Sequence, residues 1–431
     1  MKQILLFGAG KSATVFITYI INNAAKENWM LTIVDASHEL ALSKIGSSPY
    51  GRALSFDITD TEARNKTVAE ADIVISMLPA ALHYLVATSC ITYKKHLLTA
   101  SYVDDAIKQQ EKTLKENGIL FLCEMGLDPG IDHMSAMQLI DDIHATGGKV
   151  QSFKSHCGGL VAPESDNNPW HYKISWNPRN VVLAGKAGAH YVEEEKEIRL
   201  PYDRLFNTDN TVAVAGLGKL GWYANRDSLS YATLYGLETA HTFVRTTLRY
   251  VDFIDGWRKI VELGLTDESE KIDISDKSLA AVWQQLIPAD TIANASPLFL
   301  QQLSHFGYHD SGTMIPAGNY SRADFLQLIL ETKLALSPSD KDMIVMLHEI
   351  DYTDSTGAAK HINSSLIVKG DNSLHTAMAK TVGLPLAIAT KYILNGTIQL
   401  TGLHIPTIKE IYTPVLEALG KEGILFEETV S

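Results

Sequence analysis

The sequence predicts an α/β protein with three parts: a doubly wound parallel sheet, a mixed α/β domain and a small helical subdomain. Six short apolar runs alternate with helical patterns up to residue 122, which is the arrangement that a doubly wound sheet requires. The first run, Ile4 to Phe7, leads directly into a glycine-rich turn and a helical pattern. Helical periodicity from Val261 to Leu336 predicts the subdomain. Later strand-like runs predict the mixed sheet: Val150 to Cys157, Val212 to Val214, Met343 to Ile350 and Ser364 to Val368.

The composition limits the class of protein. The chain has 431 residues, of which 45% are hydrophobic and 20% charged, as expected for a globular protein of two or three domains. Its formal net charge of -13 disfavours a nucleic-acid-binding surface. No apolar run approaches the ~20 residues that a membrane span needs. We therefore predict neither a nucleic-acid partner nor a membrane partner.

The cysteines and histidines predict neither disulfides nor a metal site. Cys90, Cys123 and Cys157 are too few and too scattered for a disulfide framework, which favours a reducing compartment. The histidines lack metal-ligand spacing, so no metal is predicted. The chain starts directly with a strand and shows no signal peptide, and we therefore predict a cytoplasmic protein.

The turn after the first strand reads GAGKSA, from Gly8 to Ala13, and is a dinucleotide-binding fingerprint of the GxGxxA form. Gly8 permits the tight turn, Gly10 lets a pyrophosphate approach the backbone, and the small Ala13 allows close helix–strand packing. Amide groups at the start of the next helix face the phosphates. A Rossmann domain is therefore predicted, with these cofactor-binding residues in the turn: Gly8, Gly10, Lys11, Ser12 and Ala13.

The residue after the second strand bears on the choice of cofactor. The strand predicted over Met30 to Val34 ends at Asp35, near the position where an acid binds the adenosine ribose hydroxyls. A carboxylate there repels the 2'-phosphate of NADP, so NAD is the preferred cofactor. Lys11 and His38 can weaken that preference, and NADP stays open. Alternatively, Asp35 is a turn residue or a helix N-cap.

Three further residues are predicted to bind the cofactor beyond strand ends. The third strand is predicted over Ala53 to Asp57, which brings Asp57 within reach of the adenine. The fourth is predicted over Asp72 to Ser76, and the chain breaks after it at Leu78 and Pro79. The fifth and sixth strands are predicted over His96 to Ala100 and Gly118 to Leu122.

The stretch from Leu122 to His133, LCEMGLDPGIDH, is the first candidate for a substrate site. It follows the sixth predicted strand and carries the carboxylates of Glu124, Asp128 and Asp132. Ligands of an open α/β sheet bind beyond the carboxyl ends of its strands, and here that strand end is also a domain junction. The alternative is an ordinary acidic turn in which Asp132 caps the following helix.

Several segments of the chain resemble saccharopine dehydrogenases of the glutamate-forming type, also called saccharopine reductases. The most specific are CEMGLDPGIDHMSA, from Cys123 to Ala136, and HCGGLVAPES, from His156 to Ser165. Four more segments extend the resemblance over nearly the whole chain: TASYVDDAI (Thr99 to Ile107), YANRDS (Tyr223 to Ser228), TTLRY (Thr246 to Tyr250) and AMAKTVGLPLAIATKYILNGTI (Ala377 to Ile398).

The resemblance implies a reversible oxidative cleavage of saccharopine to glutamate and 2-aminoadipate 6-semialdehyde, with NAD or NADP as the hydride acceptor and with water consumed. Hydride leaves the carbon attached to the secondary amine, and the resulting imine is hydrolysed. Such a substrate carries carboxylates and amines, so its site needs cations for the former and carboxylates for the latter. By resemblance, the substrate-binding residues are Ser101, Tyr102, Asp128, Arg226, Thr247 and Arg249.

The resemblance also implies catalytic roles for Tyr102, Asp128 and Cys157. Asp128 would hold or deprotonate a substrate amine, and Tyr102 or Cys157 would relay protons. A cysteine packed as a small apolar residue is the alternative for Cys157.

Two departures from the family pattern bear on the cofactor. Asp35 stands where NADP-using fungal members have an arginine, and Lys11 stands where they have an apolar residue and can add a phosphate contact.

Domain boundaries follow from the resemblance. The Rossmann domain is expected over residues 1–127 and about 375–403, the substrate-binding and dimerisation domain over 128–255 and about 337–374, and the helical subdomain over 256–336. A broad second sheet predicts a homodimer.

Ala377 to Leu394 is expected to be a helix broken at Pro385. The second GxGxxG, Gly216 to Gly221, is expected to be a loop that binds no phosphate.

Two other functions stay open. A related amine dehydrogenase, such as a lysine 6-dehydrogenase or a carboxynorspermidine dehydrogenase, would have fewer cations in its pocket. A non-catalytic NAD-binding protein would keep Gly8 and Gly10. It would have no need of the predicted substrate residues, whose joint presence counts against it: Tyr102, Asp128, Arg226 and Arg249.

Overall fold

The computed structural model describes all 431 residues, which fold into two compact units. The first unit contains Met1–Lys149 and Leu374–Glu427, and the second contains Val150–Ser373 and Glu428–Ser431. The chain therefore leaves the first unit once and returns to it before its C-terminus. The division into three domains that the resemblance implies has other boundaries and stays a prediction.

The first unit begins with six strands, and at least one helix follows each of them. The strands are β1 (Lys2–Phe7), β2 (Trp29–Val34), β3 (Gly51–Leu54), β4 (Ile73–Ser76), β5 (His96–Thr99) and β6 (Leu120–Leu122). The helices are α1 (Ala13–Glu27), α2 (His38–Ile45), α3 (Thr61–Glu70), α4 (His83–Thr92), α5 (Asp105–Lys108), α6 (Glu111–Asn117) and α7 (Ile131–Ala145).

The second unit carries most of the remaining strands. They are β7 (Lys149–Val161), β8 (Ala189–Glu193), β9 (Lys196–Leu200), β10 (Thr211–Val214), β11 (Gly218–Ala224), β12 (Arg226–Asp227), β13 (Thr242–Arg249), β14 (Lys271–Ile272), β15 (Tyr320–Ser321), β16 (Asp342–Thr353) and β17 (Ala359–Lys369). Its helices are α8 (Pro178–Val182), α9 (Leu229–Ala232), α10 (Val251–Glu262), α11 (Leu279–Leu286), α12 (Ala289–Ala293), α13 (Pro297–His305) and α14 (Arg322–Lys333). Four elements follow: α15 (Ala377–Leu394), β18 (Gly402–His404), α16 (Lys409–Lys421) and β19 (Glu427–Val430).

The first sheet has the predicted doubly wound form. Its strand pairs are parallel, and its order is β18-β6-β5-β4-β1-β2-β3. The order reverses between β1 and β4, which is where such sheets bind ligands. The predicted fold class is confirmed. The sequence pattern missed β18, because its residues, GLH, form no apolar run.

The third strand ends earlier than predicted. Its pairing with β2 stops at Leu54, opposite Val34, because β2 itself ends there. Asp57 therefore lies beyond the sheet, in the loop before α3.

The second sheet is mixed, as expected from the sequence, and it has ten strands. Its main path is β10-β11-β13-β7-β16-β17-β19, and β13 runs parallel to β7 but antiparallel to β11. The predicted helical segment is present as α10 to α14. Its buried side chains share one apolar core with residues of the neighbouring strands, such as Tyr191 and Tyr223. Across both units, no helix combines the length and apolar character that a membrane span needs.

Two local predictions are wrong. The segment Gly216 to Gly221 is not a loop throughout, because β11 begins at Gly218 and pairs with β10, with Val214 opposite Gly218. Gly216 and Gly218 have φ of +77° and +81°, which the hairpin turn requires. Helix α15 is not broken at Pro385 but continues through it. Proline removes one backbone hydrogen bond, and the burial of this helix outweighs that cost.

Gly383 lets α15 pack closely against α1. A Cβ atom at this position would lie 2.6 Å from the backbone nitrogen of Phe16. The buried hydroxyls of the same helix are satisfied locally, since Thr381 and Thr390 donate to the carbonyls of Ala377 and Leu386 at 2.9 and 2.7 Å. The close crossing of these two helices holds the returning chain on the first unit.

We expect Gly383→Ala to destabilise the protein by about 1–3 kcal/mol, because the added methyl group meets backbone that cannot move away cheaply. Gly420→Ala in α16 is the matched control, since a Cβ there makes an ordinary contact, 3.5 Å from Leu425. The control should keep or raise stability, by up to about 1 kcal/mol. Midpoints of urea denaturation measure both changes. A Gly383 variant as stable as the control would contradict the proposed crossing.

Candidate active site

The glycine-rich turn closes tightly over the end of β4. Gly8 has φ of +97°, and its amide donates to the carbonyl of Val34 at 2.8 Å. A Cβ atom at Gly8 would lie 2.8 Å from the carbonyl oxygen of Met77. Only glycine fits a position that combines this φ with so close an approach. The turn therefore brings the loops after β1 and β4 into contact.

The carboxylate of Asp35 orders the same turn. Its Oδ2 accepts from the amide of Ala9 at 2.8 Å, and its Oδ1 accepts from the amide of Ser37 at 2.9 Å. Asp35 is thus a turn residue whose negative charge lies beside the glycine-rich loop. It is not the N-cap of α2, because Ser37 fills that position and accepts from Leu40.

The other predicted cofactor residues lie around the carboxyl ends of β1, β3 and β4. Lys11 is exposed, and the hydroxyl of Ser12, before α1, makes no capping bond. No heavy atom lies within 4 Å of a Cβ placed on Gly10, so the backbone there is open to a ligand. Leu78 and Pro79 lie on the loop after β4. This open glycine cradle at the start of a helix fits the pyrophosphate of a dinucleotide.

Asp57 is exposed and is bound within its own loop. Its Oδ1 accepts from both the amide and the hydroxyl of Thr59 at 2.8 Å. These hydrogen bonds lower the pKa of the Asp57 carboxyl. A contact between Asp57 and the adenine stays a prediction.

The structure reveals a buried polar chain that the sequence analysis missed. His83, which is 3% exposed, lies between Ser76 and Ser101, with its Nδ1 2.8 Å from the Ser76 hydroxyl and its Nε2 2.7 Å from the Ser101 hydroxyl. Burial lowers the pKa of His83 to about 4, and Asp104 opposes part of that shift. The ring is therefore neutral near pH 7. The only signal in the sequence was a histidine at the start of the helix after β4.

Tyr102 and Asp128, two predicted catalytic residues, are hydrogen-bonded to each other. The Tyr102 hydroxyl donates to Oδ1 of Asp128 at 3.3 Å. The nearby Glu124 is buried and accepts from the amide of Val103 at 3.1 Å, while His133 approaches its other oxygen at 2.9 Å. Hydrogen bonds thus connect the segment after β5 with the acidic stretch after β6.

Asp132 does not cap α7 as predicted. The helix begins at Ile131, and its N-cap is Gly130, two residues before Asp132. The carboxylate of Asp132 lies in the first turn and accepts from the amide of Gly130 at 2.6 Å. The unusual φ of +147° at Gly130 allows this tight start, which helical periodicity does not reveal.

In the second unit, Cys157, Thr247 and Arg249 lie on one face of the sheet. Cys157 of β7 is directly opposite Thr247 of β13, and Arg249 follows Thr247 by two residues. Cys157 is 6% exposed. Arg226, the other predicted carboxylate-binding arginine, does not belong to this row. It is exposed on the short strand β12 and has φ of +52°.

The guanidinium of Arg249 is buried without an acidic partner. The residue is 4% exposed, and its Nη1 donates to the carbonyls of Leu248 and Gly159 at 2.7 and 3.3 Å. Its Nε has no hydrogen-bond partner. The guanidinium carbon lies 5.1 Å from the ring centre of Tyr172 and 5.7 Å from that of Phe253. A buried charge held only by carbonyls and aromatic rings retains capacity for an anion.

Family models match both units of this chain. Residues 4–122 match the model described as the saccharopine dehydrogenase NADP binding domain, and residues 126–424 match that of the saccharopine dehydrogenase C-terminal domain. The chain belongs to the saccharopine dehydrogenase family. The resemblance seen in the sequence is thereby confirmed.

The relatives of this chain differ in length. The chain is 32% identical to a saccharopine dehydrogenase (NADP+, L-glutamate-forming) of Schizosaccharomyces pombe, over 100% of this chain and 99% of the relative. It is 34% identical to the mitochondrial alpha-aminoadipic semialdehyde synthase of Bos taurus, over 99% of this chain but 47% of the relative. The chain thus spans about half the length of the bovine protein.

A solved structure of the family has the same fold. The apo, histidine-tagged saccharopine dehydrogenase (L-Glu forming) of Saccharomyces cerevisiae aligns over 100% of both chains, with a TM-score of 0.89 and 32% sequence identity. The matching NADP binding domain covers the glycine-rich turn, Asp35 and the loop after β4. The first unit therefore carries the nicotinamide-dinucleotide domain of this family.

We expect His83 to make the protein less stable in mild acid. The unfolded chain takes up a proton at this residue below about pH 6.5, whereas the folded protein does so only near pH 4. Stability should therefore fall as the pH drops from 6.5 to 4, by at most about 1.4 kcal/mol per pH unit from this residue. Urea midpoints at pH 7 and pH 5 should show a smaller loss for His83→Asn than for the wild type. Equal losses would show that His83 is not the responsible group.

Proposed function

We propose that this chain is a nicotinamide-dependent oxidoreductase that acts on a CH–NH group and cleaves saccharopine reversibly to glutamate and 2-aminoadipate 6-semialdehyde. Full-length relatives bear the name of this reaction, and their similarity covers both units. The chain also matches about half of a longer bovine protein with a different name.

The structural observation that carries the proposal is Arg249. A buried guanidinium without a counter-ion is costly for the protein alone, and an anionic ligand removes that cost. Saccharopine carries carboxylates, and a carboxylate is the planar partner that a guanidinium binds best. Thr247, on the same face of the sheet, supplies a hydroxyl beside it. A polyamine without a carboxylate would give Arg249 no partner.

The remaining roles are proposed for the other residues that the resemblance assigns to the substrate. When bound, the nicotinamide accepts the hydride that leaves the carbon next to the secondary amine. Ser101, Tyr102 and Asp128 bind the substrate in the first unit, with the Asp128 carboxylate holding or deprotonating an amine. Tyr102 and Cys157 relay protons as the imine is hydrolysed, and Arg226 binds a second carboxylate from its exposed strand.

NAD is our proposed cofactor preference, although the family model and the fungal relatives are named for NADP. The Asp35 carboxylate lies beside the glycine-rich turn, bound to the amide of Ala9, and a 2'-phosphate close to it would be repelled. Exposed Lys11 provides a contact for the pyrophosphate. We also propose a cytoplasmic homodimer, supported by three cysteines that form no disulfide and by the broad second sheet, and sedimentation analysis tests the dimer.

The first experiment follows the absorbance of reduced nicotinamide with the purified protein, saccharopine, and NAD or NADP in parallel. Reduction that depends on saccharopine supports the proposed reaction, and glutamate should appear in equal amount. Lysine and carboxynorspermidine serve as competing substrates in the same assay. Reduction with either of these, but not with saccharopine, would replace the proposed function with that of a related amine dehydrogenase.

We expect Arg249→Met to lower kcat/KM for saccharopine by roughly 30- to 700-fold, equivalent to about 2–4 kcal/mol, through a higher KM. The protein itself should be no less stable, because the variant removes a buried charge that has no acidic partner. Arg199→Met, on the exposed strand β9, is the control and should leave KM unchanged. An unchanged KM in the Arg249 variant would remove this residue from the site.

We expect Asp35→Asn to raise the ratio of kcat/KM with NADP to that with NAD by roughly tenfold, since it removes the charge and keeps an oxygen for the Ala9 amide. Glu39→Gln removes a charge from the exposed first turn of α2 and serves as the control. Initial rates with both cofactors measure the ratio. If the two variants behave alike, Asp35 only orders the turn.

A further inference from the structure

A buried histidine connects the ends of two neighbouring strands in the first unit. Ser76 is the last residue of β4, and Ser101 follows β5 by two residues. His83 joins their hydroxyls through its two ring nitrogens, at 2.8 and 2.7 Å. Thr99, the last residue of β5, completes the chain, because its hydroxyl lies 3.4 Å from Nε2 of His83 and accepts from the amide of Ser101 at 3.2 Å.

The hydrogen-bonded chain through His83 lies where ligands bind, so its position indicates a role in binding and not in packing alone. The carboxyl ends of β4 and β5 lie next to the point where the strand order reverses, on the side where ligands bind. The bond from His83 to Ser76 closes the loop from Met77 to Leu82, which carries the cofactor residues of β4. The bond to Ser101 reaches the segment that carries the substrate residues of β5. Each ring nitrogen is therefore hydrogen-bonded to a segment with a different predicted role.

We propose that His83 is a positioning residue with two separable roles. Through Nε2 it holds the Ser101 hydroxyl in place for saccharopine, and through Nδ1 and Ser76 it holds the loop after β4 in place for the dinucleotide. This inference rests on the proposed function for its substrate half only. His83 is 3% exposed and acts through its neighbours, so it is not itself a catalytic residue.

Two substitutions separate these roles, because each keeps one of the two hydrogen bonds. The amide of asparagine occupies the place of Nδ1, and the amide of glutamine reaches the place of Nε2. We expect His83→Asn to raise KM for saccharopine by about tenfold and to leave the dissociation constants of NADH and NADPH within about twofold. We expect His83→Gln to weaken the binding of these cofactors by about tenfold with little change in KM for saccharopine. Titration of nicotinamide fluorescence measures the cofactor arm.

A purely structural role would change both constants alike in both variants. In a Ser101→Ala background, His83→Asn should raise KM no further, because its target hydroxyl is already gone. His96→Gln is the matched control. His96 also lies in β5, but at the opposite end of the strand, where its Nδ1 accepts from the amide of Leu120 at 2.9 Å, and this variant should leave both constants unchanged.

The outcomes distinguish this inference from the proposed function. If the wild type reduces cofactor with saccharopine, equal effects of the two His83 variants, or no effect of either, overturn the inference and leave the function intact. If the wild type does not act on saccharopine, the proposed function fails and the substrate half of the inference fails with it. Cofactor binding then decides the other half. If His83→Asn and His83→Gln bind each of NADH and NADPH equally well, that half is overturned.

Discussion

The approach of Gly8 to the carbonyl of Met77 is the contact on which the first unit depends. Strand β1 lies between β2 and β4, and its backbone must turn away at Gly8 without a side chain that would push the loop after β4 outward. Because the turn is tight, the carboxylate of Asp35 can reach the amide of Ala9. The loops after β1, β2 and β4 therefore form one surface at the reversal of strand order, where a dinucleotide binds.

The second unit contrasts two buried cations. Lys173 is 5% exposed, and its ammonium is 2.6 Å from the carboxylate of Asp340, so its charge is compensated inside the protein. Arg249 is as deeply buried, but it donates to two carbonyls and lies near two aromatic rings, with no carboxylate paired to it. Burial raises the pKa of the neighbouring Tyr172, against an opposing effect of the Arg249 charge, so the phenol supplies no counter-ion. Burial of such an uncompensated cation is costly unless an anion binds it.

Buried histidines show how much of a site depends on partners distant in the chain. His83 is held by hydroxyls, whereas His156 approaches the Thr246 hydroxyl at 2.6 Å and Glu349 at 2.9 Å. The hydrogen bond from His156 lowers the pKa of Glu349. Both histidines are nearly inaccessible, yet only His156 has a carboxylate partner in addition to a hydroxyl. Nothing within a few residues of either histidine distinguishes them, because the partners come from other strands.

The sequence by itself determined the alternation of strands and helices, the glycine-rich turn and the family, because periodicity and the need for glycine are local properties. It also supplied the pair Tyr102 and Asp128, though only by resemblance. Tertiary structure decided that α15 runs through Pro385, that β11 begins at Gly218, and that Arg249 rather than Arg226 is buried. Each of these depends on packing and strand pairing with residues far along the chain, whose energy exceeds local preference.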